Sequence, residues 1–146
     1  MIYFDTSFLT PLLRGEETSA AVERFIAAQP PGSLATGLLT KVEFASVLSR
    51  DVRVGSLTAA IARQLNDAFA GTVASVFVLL PPSPADFDLA YEFVRDHLTG
   101  LRAPDALHLA MAANNRAEAI YTLDKGMVRA GKRLRLPVKH GIRFSD

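Results

Sequence analysis

The sequence contains no cysteine and no tryptophan, and its apolar runs are short. The absence of cysteine excludes a disulfide scaffold, a thiolate metal site and a thiol nucleophile. The apolar run at residues 76–80 is far too short to cross a bilayer, and the first residues lack the basic segment of a signal peptide. We therefore expect a cytoplasmic globular protein that does not associate with membranes.

The length and composition are those of a folded chain. The 146 residues are 49% hydrophobic and 21% charged, which is too apolar for an intrinsically disordered protein. A chain of this length is expected to form a single domain, here residues 1–146, and to bury roughly two-thirds of the surface of its unfolded state.

Charge is distributed unevenly along the chain, although the formal net charge is only +1. Residues 125–146 contain seven basic residues and one acidic residue, so residues 1–124 carry an excess of acid. A basic end on an acidic body is typical of a polyanion-binding surface, but a solvated basic tail has the same composition. Both interpretations stay open on charge alone.

Short apolar runs alternate with amphipathic stretches along the whole chain. Strands are predicted at residues 2–4, 33–36, 76–80 and 119–122, with a fifth near 136–138. The segments between them show apolar residues at helical spacing. Runs that are apolar throughout favour a parallel sheet covered on both faces. The pattern predicts a three-layer α/β/α domain with a central parallel sheet of four to five strands.

This connectivity brings four acidic residues to one edge of the sheet. Asp5 and Asp124 follow the first and fourth strands, and Glu43 lies at the start of the helix after the second strand. Asp105 opens a helix that ends just before the fourth strand, so its N-terminus lies at the opposite end of the sheet from that connection. In parallel α/β sheets this edge, at the carboxyl ends of the strands, binds ligands.

Each acid also has a purely structural explanation. Asp5 and Asp124 are suited to cap the helices that follow them. The sequence from Thr40 to Glu43 matches a capping box, and Asp105 lies where a helix dipole favours an acid. Capping alone does not require the four to converge, whereas a shared site does.

Converging carboxylates repel one another and need a compensating cation. Mg²⁺ and Mn²⁺ prefer oxygen ligands, and such an ion can lower the pKa of a bound water and stabilise charge on a phosphodiester. The three histidines form no paired arrangement of the kind that cleaves RNA through its 2′-hydroxyl. The residues therefore favour metal-assisted hydrolysis that leaves a 5′-phosphate and a free 3′-hydroxyl.

Four motifs, in order, resemble the acidic motifs of PIN-domain ribonucleases, and in particular the VapC-type toxins of toxin–antitoxin pairs. They are Ile2-Tyr3-Phe4-Asp5-Thr6-Ser7, Thr40-x-x-Glu43, Arg102-x-x-Asp105-Ala106-Leu107-His108-Leu109-Ala110 and Thr122-Leu123-Asp124. The resemblance spans nearly the whole chain. It implies a PIN-like nuclease domain that binds Mg²⁺ or Mn²⁺ and cleaves RNA endonucleolytically. It also implies a homodimer and a cognate antitoxin whose tail occupies the active groove.

The resemblance assigns roles to individual residues. It implies that Asp5, Glu43, Asp105 and Asp124 are catalytic residues and metal ligands, with Asp124 acting either directly or through water. Hydroxyls that support these ligands are then expected at three positions, namely Thr6, Ser7 and Thr122. His108 receives no metal role and is interpreted as a half-buried helical histidine that bonds to a neighbour.

Three basic residues flank the predicted acidic edge and are candidates to hold RNA phosphates: Arg102, Lys125 and Arg129. Ordinary surface charge is an equally open explanation for each.

Other functions fit less well. A receiver domain needs an acidic residue after the third strand, where this chain has Pro81 and Pro82, and a haloacid-dehalogenase-type phosphatase needs an acid where Ser7 stands. The remaining alternative is a catalytically silent PIN-like subunit that works within an antitoxin–DNA-binding complex.

Overall fold

The computed structural model describes residues 1–15 and 17–142. The strands in this part of the chain are β1 (Ile2–Phe4), β2 (Leu34–Gly37), β3 (Val78–Leu80), β4 (Ala119–Tyr121) and β5 (Val138–Lys139). The α-helices are α1 (Thr6–Leu9), α2 (Pro11–Arg14), α3 (Ser19–Ala27), α4 (Leu39–Arg53), α5 (Ala59–Val76), α6 (Pro84–Arg95), α7 (Ala103–Asn114) and α8 (Lys125–Leu134). A 3₁₀ turn at His97–Thr99 follows α6.

The five strands form one parallel sheet in the order β3-β2-β1-β4-β5. Ile2 of β1 lies opposite Leu34 on one side and Ala119 on the other. The strand order changes direction at β1, because the chain first adds β2 and β3 on one side and then β4 and β5 on the other. The crevice between the carboxyl ends of β1 and β4 is therefore where such a sheet binds ligands.

Helices cover both faces of the sheet, as the unbroken apolar strands predict. Tyr3 and Phe4 are neighbours in β1 and point to opposite faces, and both are fully buried. Phe4 belongs to the core under α1–α5, in which the rings of Phe44 and Phe69 stack with their centroids 3.9 Å apart. Tyr3 belongs to the core under α6–α8. The predicted three-layer α/β/α architecture is confirmed.

The direction of α7 determines where Asp105 lies. Because α7 ends at Asn114 and β4 begins at Ala119, the connection between them is short and lies at the amino end of β4. The helix then reaches back along the sheet for about 18 Å at 1.5 Å per residue. Asp105, in its first turn, therefore lies at the carboxyl edge of the strands, as predicted.

Some predicted elements differ from the structure. The third strand begins at Val78 and not at residue 76, because α5 continues through Val76 and the Phe77 N–H still bonds to the Val73 carbonyl. The periodicity does not predict α1 and α2, which have four residues each, or α8, which contains Gly126 and Gly131.

The basic C-terminal segment forms α8 and the edge strand β5. Lys125, Arg129 and Lys132 lie exposed along α8, whereas Arg143 and Asp146 lie outside the described residues. Within the residues that the structure describes, none of the helices combines the length and apolar character needed to cross a membrane.

Candidate active site

The four acidic residues line a single cavity of about 200 Å³ at the carboxyl edge of the sheet. Asp5 is supplied by the end of β1, Glu43 by α4, Asp105 by α7 and Asp124 by the loop before α8. The structure thus brings together all four residues that the sequence connectivity predicts at this edge. The acids that line the cavity lie as far apart in the sequence as positions 5 and 124, so only the tertiary fold creates the cavity.

Asp5 is the most buried of these acids, with 3% of its surface exposed. Its carboxylate accepts hydrogen bonds from the Ser7 hydroxyl at 2.9 Å, the Thr122 hydroxyl at 2.8 Å and the Phe8 amide at 3.0 Å. The Phe8 bond makes Asp5 the N-cap of α1, so capping and convergence hold together. Burial raises the pKa of Asp5 even though His108 and these donors favour its ionised form.

Glu43 does not cap its helix. The N-cap of α4 is Leu38, and the Thr40 hydroxyl bonds to Thr36 at 2.8 Å, so the predicted capping box is wrong. The helix begins one residue before Thr40, which leaves that residue inside the first turn.

The Glu43 carboxylate instead turns towards α1 and α7. Its Oε2 accepts a hydrogen bond from the Thr6 hydroxyl and lies 2.6 Å from Nε2 of His108. Burial raises the pKa of Glu43, but the hydrogen bonds from His108 and Thr6 outweigh it, and the net shift is downward. Glu43 is therefore held as an anion beside the cavity.

Asp105 is half-buried in the first turn of α7. Burial is the main cause of the raised pKa of Asp105, and the negative charges of the neighbouring carboxylates of Asp124 and Glu43 raise it further. A backbone hydrogen bond at Arg102 lowers the pKa but does not cancel the rise.

Asp124 is the most exposed of the four acids and is the N-cap of α8. Its Oδ1 accepts hydrogen bonds from the Gly126 amide at 2.5 Å and the Met127 amide at 3.0 Å. Because Oδ1 serves the helix, Oδ2 is the oxygen available to the cavity.

The three hydroxyls that the resemblance implies all contact the acids or their supports. Ser7 donates to Asp5, lies 3.0 Å from the Thr122 hydroxyl and accepts from the Leu123 amide at 2.9 Å. The Thr122 hydroxyl donates to Asp5 and accepts from the Asp124 amide at 3.0 Å. Ser7 and Thr122 thus tie the end of β1 to the loop after β4, while Thr6 bonds to Glu43.

Two of the three predicted phosphate-binding residues adjoin the acids. A second cavity of about 390 Å³ is lined by Arg102 and Arg129 together with three of the same carboxylates. Lys125 is exposed nearby but does not line either cavity. Within residues 1–15 and 17–142, neither arginine forms an ion pair.

The sequence does not predict the full burial of His108 or the contact that Tyr3 makes with it. His108 is 1% exposed rather than half-buried, and it contacts Glu43 through Nε2 and the Tyr3 hydroxyl through Nδ1. The signal for His108 is its position three residues after Asp105, which puts both on one helix face. No sequence pattern distinguishes Tyr3 from an ordinary core residue of a strand.

The donor chemistry fits a hydrated hard cation better than a fully protein-ligated one. Among the described residues, no group of three or more His, Asp or Glu side chains is close enough to hold a metal ion. Mg²⁺ usually binds through one or two carboxylates and keeps several waters, so a wide acidic cavity suits it. The four carboxylates that line the cavity bring negative charge together, and such an ion would neutralise it.

A comparison with protein-family models matches residues 2–133 to the PIN domain. A search of curated proteins finds no match.

Several solved structures share the fold at low sequence identity. The VapC20 toxin of Mycobacterium tuberculosis, described as cleaving the sarcin-ricin loop, is 20% identical with a TM-score of 0.73, over 90% of this chain and 95% of that one. A toxin–antitoxin complex from Klebsiella pneumoniae is 18% identical with a TM-score of 0.69, over 99% and 100% of the two chains. VapBC2 of Rickettsia felis, bound to a DNA fragment from its promoter, is 14% identical with a TM-score of 0.66, over 95% and 98%. At these identities the likeness establishes the fold.

Proposed function

Since the PIN-domain model matches residues 2–133, this chain belongs to the PIN-domain family, and from that premise we propose that it is a metal-dependent endoribonuclease. The observation that carries the proposal is the convergence of Asp5, Glu43, Asp105 and Asp124 on one cavity. We further propose that it acts in the cytoplasm as the toxin of a toxin–antitoxin pair, the role named for several chains of the same fold.

The carboxylates would hold Mg²⁺ or Mn²⁺, with Asp5 and Asp105 as the main ligands and Glu43 and Asp124 beside them. When bound, the ion would lower the pKa of a water molecule and stabilise the charge that develops on the scissile phosphate. Ser7 and Thr122 orient Asp5 by donating to its oxygens, and these bonds oppose the rise in its pKa that burial causes. The hydrogen bond from Thr6 does the same for Glu43.

The arginines give the site its preference for a polyanion. Arg102 and Arg129 line the larger cavity next to Asp105, so they are placed to hold phosphates on either side of the bond that is cut. Lys125 extends this positive charge along the exposed surface of α8. The substrate proposed is RNA, and the products carry a 5′-phosphate and a 3′-hydroxyl.

The proposed partners are a second copy of this chain and a cognate antitoxin. An exposed apolar patch, formed by Phe87, Tyr91 and Val94 of α6 and Leu98 of the turn that follows it, supports the homodimer, because surfaces of this kind mark interaction sites. The groove beside it shares Pro104 with the larger cavity, so the dimer surface would adjoin the site. The antitoxin proposal is supported by the toxin–antitoxin complexes of the same fold.

Cleavage of a mixed RNA substrate with Mn²⁺ tests the proposal. We expect cleavage by the wild-type protein, none in EDTA, and loss of at least about a hundredfold in Asp5→Asn and Asp105→Asn, since each removes a charged ligand. Asp67→Asn, which changes an exposed acid on α5, is the matched control and should retain full activity. Cleavage that resists EDTA, or that survives intact in both site variants, would contradict the proposal.

The second candidate is a catalytically silent subunit of an antitoxin–DNA-binding complex. It is favoured by the neighbour that was solved on promoter DNA. A short reading frame directly upstream should then encode a DNA-binding partner, and the pair should shift a promoter fragment in a gel. If the complex binds that DNA and the free protein cleaves no RNA with either metal, the second candidate replaces the first.

A further inference from the structure

Tyr3, His108 and Glu43 form a chain of hydrogen bonds that runs from the interior of the domain to the cavity. The Tyr3 hydroxyl lies 2.7 Å from Nδ1 of His108, and Nε2 of the same ring lies 2.6 Å from Oε2 of Glu43. Tyr3 and His108 are 0% and 1% exposed, whereas the Glu43 side chain is 24% exposed. These hydrogen bonds therefore link a buried strand residue to a carboxylate at the site.

The direction of each hydrogen bond follows from the phenol. The Tyr3 hydroxyl is fully buried, and a phenol carries its proton at neutral pH. A buried O–H group needs an acceptor, and among the described residues the group at bonding distance is Nδ1 of His108. Gly37 offers its backbone amide, which is a donor, to the same phenol oxygen.

In the neutral form of His108, this bond selects the tautomer that carries its proton on Nε2. An imidazole that accepts at Nδ1 carries its hydrogen on Nε2, and that N–H points at Oε2 of Glu43. The Thr6 hydroxyl donates to the same oxygen. With Oε2 occupied twice, Oε1 is the Glu43 oxygen left for the cavity.

Packing around Tyr3 and His108 holds these hydrogen-bonded side chains in place. A Cβ at Gly37 would come within 2.8 Å of the Tyr3 hydroxyl, so a glycine is needed for the phenol to reach His108. The Tyr3 and His108 rings meet edge to face with centroids 5.8 Å apart. Because His108 and Asp105 share a face of α7, the same bonds set the position of Glu43 relative to Asp105.

We propose that Tyr3 and His108 are positioning residues that fix the Glu43 carboxylate, holding Oε2 against the protein and leaving Oε1 for the metal and substrate. The consequence for RNA cleavage rests on the proposed function. The tautomer of His108 and the geometry of Glu43 do not depend on that function.

The tautomer is read from two-bond ¹H–¹⁵N spectra of protein labelled in histidine, with His108 assigned by the signal that His108→Gln removes. For the neutral form of His108, we expect a single Nε2–H tautomer in the wild-type protein. In Tyr3→Phe the phenolic donor is gone, so the Nδ1 and Nε2 shifts should move towards a mixture of tautomers. An Nδ1–H tautomer, or a spectrum unchanged in Tyr3→Phe, overturns the proposal.

Mn²⁺ affinity and cleavage rate report the effect on Glu43. Removing an outer hydrogen-bond partner of a metal ligand typically costs about 10- to 100-fold in affinity or activity. We expect about a 10-fold loss of Mn²⁺ affinity and of kcat in Tyr3→Phe. Tyr121→Phe is the matched control, since its ring packs on Phe4 in the opposite core, and it should change neither quantity. Equal losses in the two variants would overturn the proposal.

A rescue pair separates positioning from simple packing. The amide of His108→Gln can still donate to Glu43 from the place of Nε2, whereas His108→Leu fills the space without a donor. We expect the Gln variant to bind Mn²⁺ at least about 10-fold more tightly than the Leu variant. Equal affinity in two folded variants overturns the proposal. If wild-type protein cleaves no RNA, the proposed function fails, while the tautomer and Mn²⁺ measurements still decide the roles of Tyr3 and His108.

Discussion

His108 and Glu43 are 65 residues apart in the sequence, yet Nε2 of the histidine lies 2.6 Å from Oε2 of the glutamate. This contact joins α7 to α4 across the carboxyl edge of the sheet, directly beside the cavity that the four acids line. The hydrogen bond from His108 helps to lower the pKa of Glu43, whereas burial and the charges of Asp124 and Glu43 raise the pKa of Asp105.

Gly37 and Tyr3 are predicted to be energetically coupled. Gly37→Ala would place a methyl group 2.8 Å from the Tyr3 hydroxyl and 3.0 Å from Cε of Met111, and overpacking of this kind costs about 1–3 kcal/mol. Tyr3→Phe removes the hydroxyl that clashes. In a double-mutant cycle by urea denaturation, the double variant should therefore lose less stability than the two single variants together. Strict additivity would show that the hydroxyl is not what the new methyl group meets.

The effect of Asp105→Asn on thermal stability is predicted to change sign when metal is added. In EDTA the neutral side chain relieves the repulsion from Asp124 and Glu43, so the variant should melt higher than wild type, by about 2–4 °C for each kcal/mol relieved. With Mn²⁺ at about a hundred times its Kd, the wild-type protein gains about 2.7 kcal/mol from binding. The variant should gain much less and become the less stable of the two. Thermal melts of both proteins in both buffers test this, and parallel responses to Mn²⁺ would exclude Asp105 as a ligand.

Asp86 gives a pH-dependent prediction away from the site. Burial alone would raise the pKa of Asp86, but hydrogen bonds from Ser83 and from Asn114, whose Nδ2 lies 2.7 Å from its Oδ1, lower it. A lowered pKa in the folded state means that the stabilisation is complete above the usual carboxyl pKa of about 4 and is lost as the pH falls through the lowered value.

The matching variant is Asp86→Ala, which removes the capping box of α6 and the link to α7. We expect a loss of about 1–3 kcal/mol in urea denaturation at pH 7 and a smaller loss near pH 3. Asp88→Ala, an exposed acid on the same helix, is the control and should show no such pH dependence. A loss for Asp86→Ala that is the same at both pH values would mean that its charge contributes nothing.

The apolar patch of α6 predicts the oligomeric state. Tyr91→Glu introduces a charge into that patch and should convert a dimer to a monomer in light scattering, because an unpaired charge in an apolar interface is costly. Ile61→Glu changes another exposed apolar residue, on α5, and should leave the dimer intact. If the wild-type protein is monomeric at micromolar concentration, this role for the patch is wrong.

The strands, most helices and the meeting of the four acids could be predicted from the sequence. Apolar periodicity reports which face of each element is buried, and parallel connectivity alone brings Asp5, Asp105 and Asp124 to one edge. The short helices α1 and α2 and the exact start of β3 could not, because they depend on caps and core contacts rather than on a repeat.

The sequence by itself determined the three-layer architecture, because the alternation of apolar strands and amphipathic helices admits few other packings. Only the tertiary structure decided that Glu43 bonds to His108 instead of capping its own helix, and that Tyr3 supports this bond from the sheet. The reason is that a hydrogen bond between side chains far apart in the chain forms only when the distance between its atoms is right to within a few tenths of an ångström. Those distances are set by the packing of α4 and α7 on β1, and no local pattern of residues encodes them.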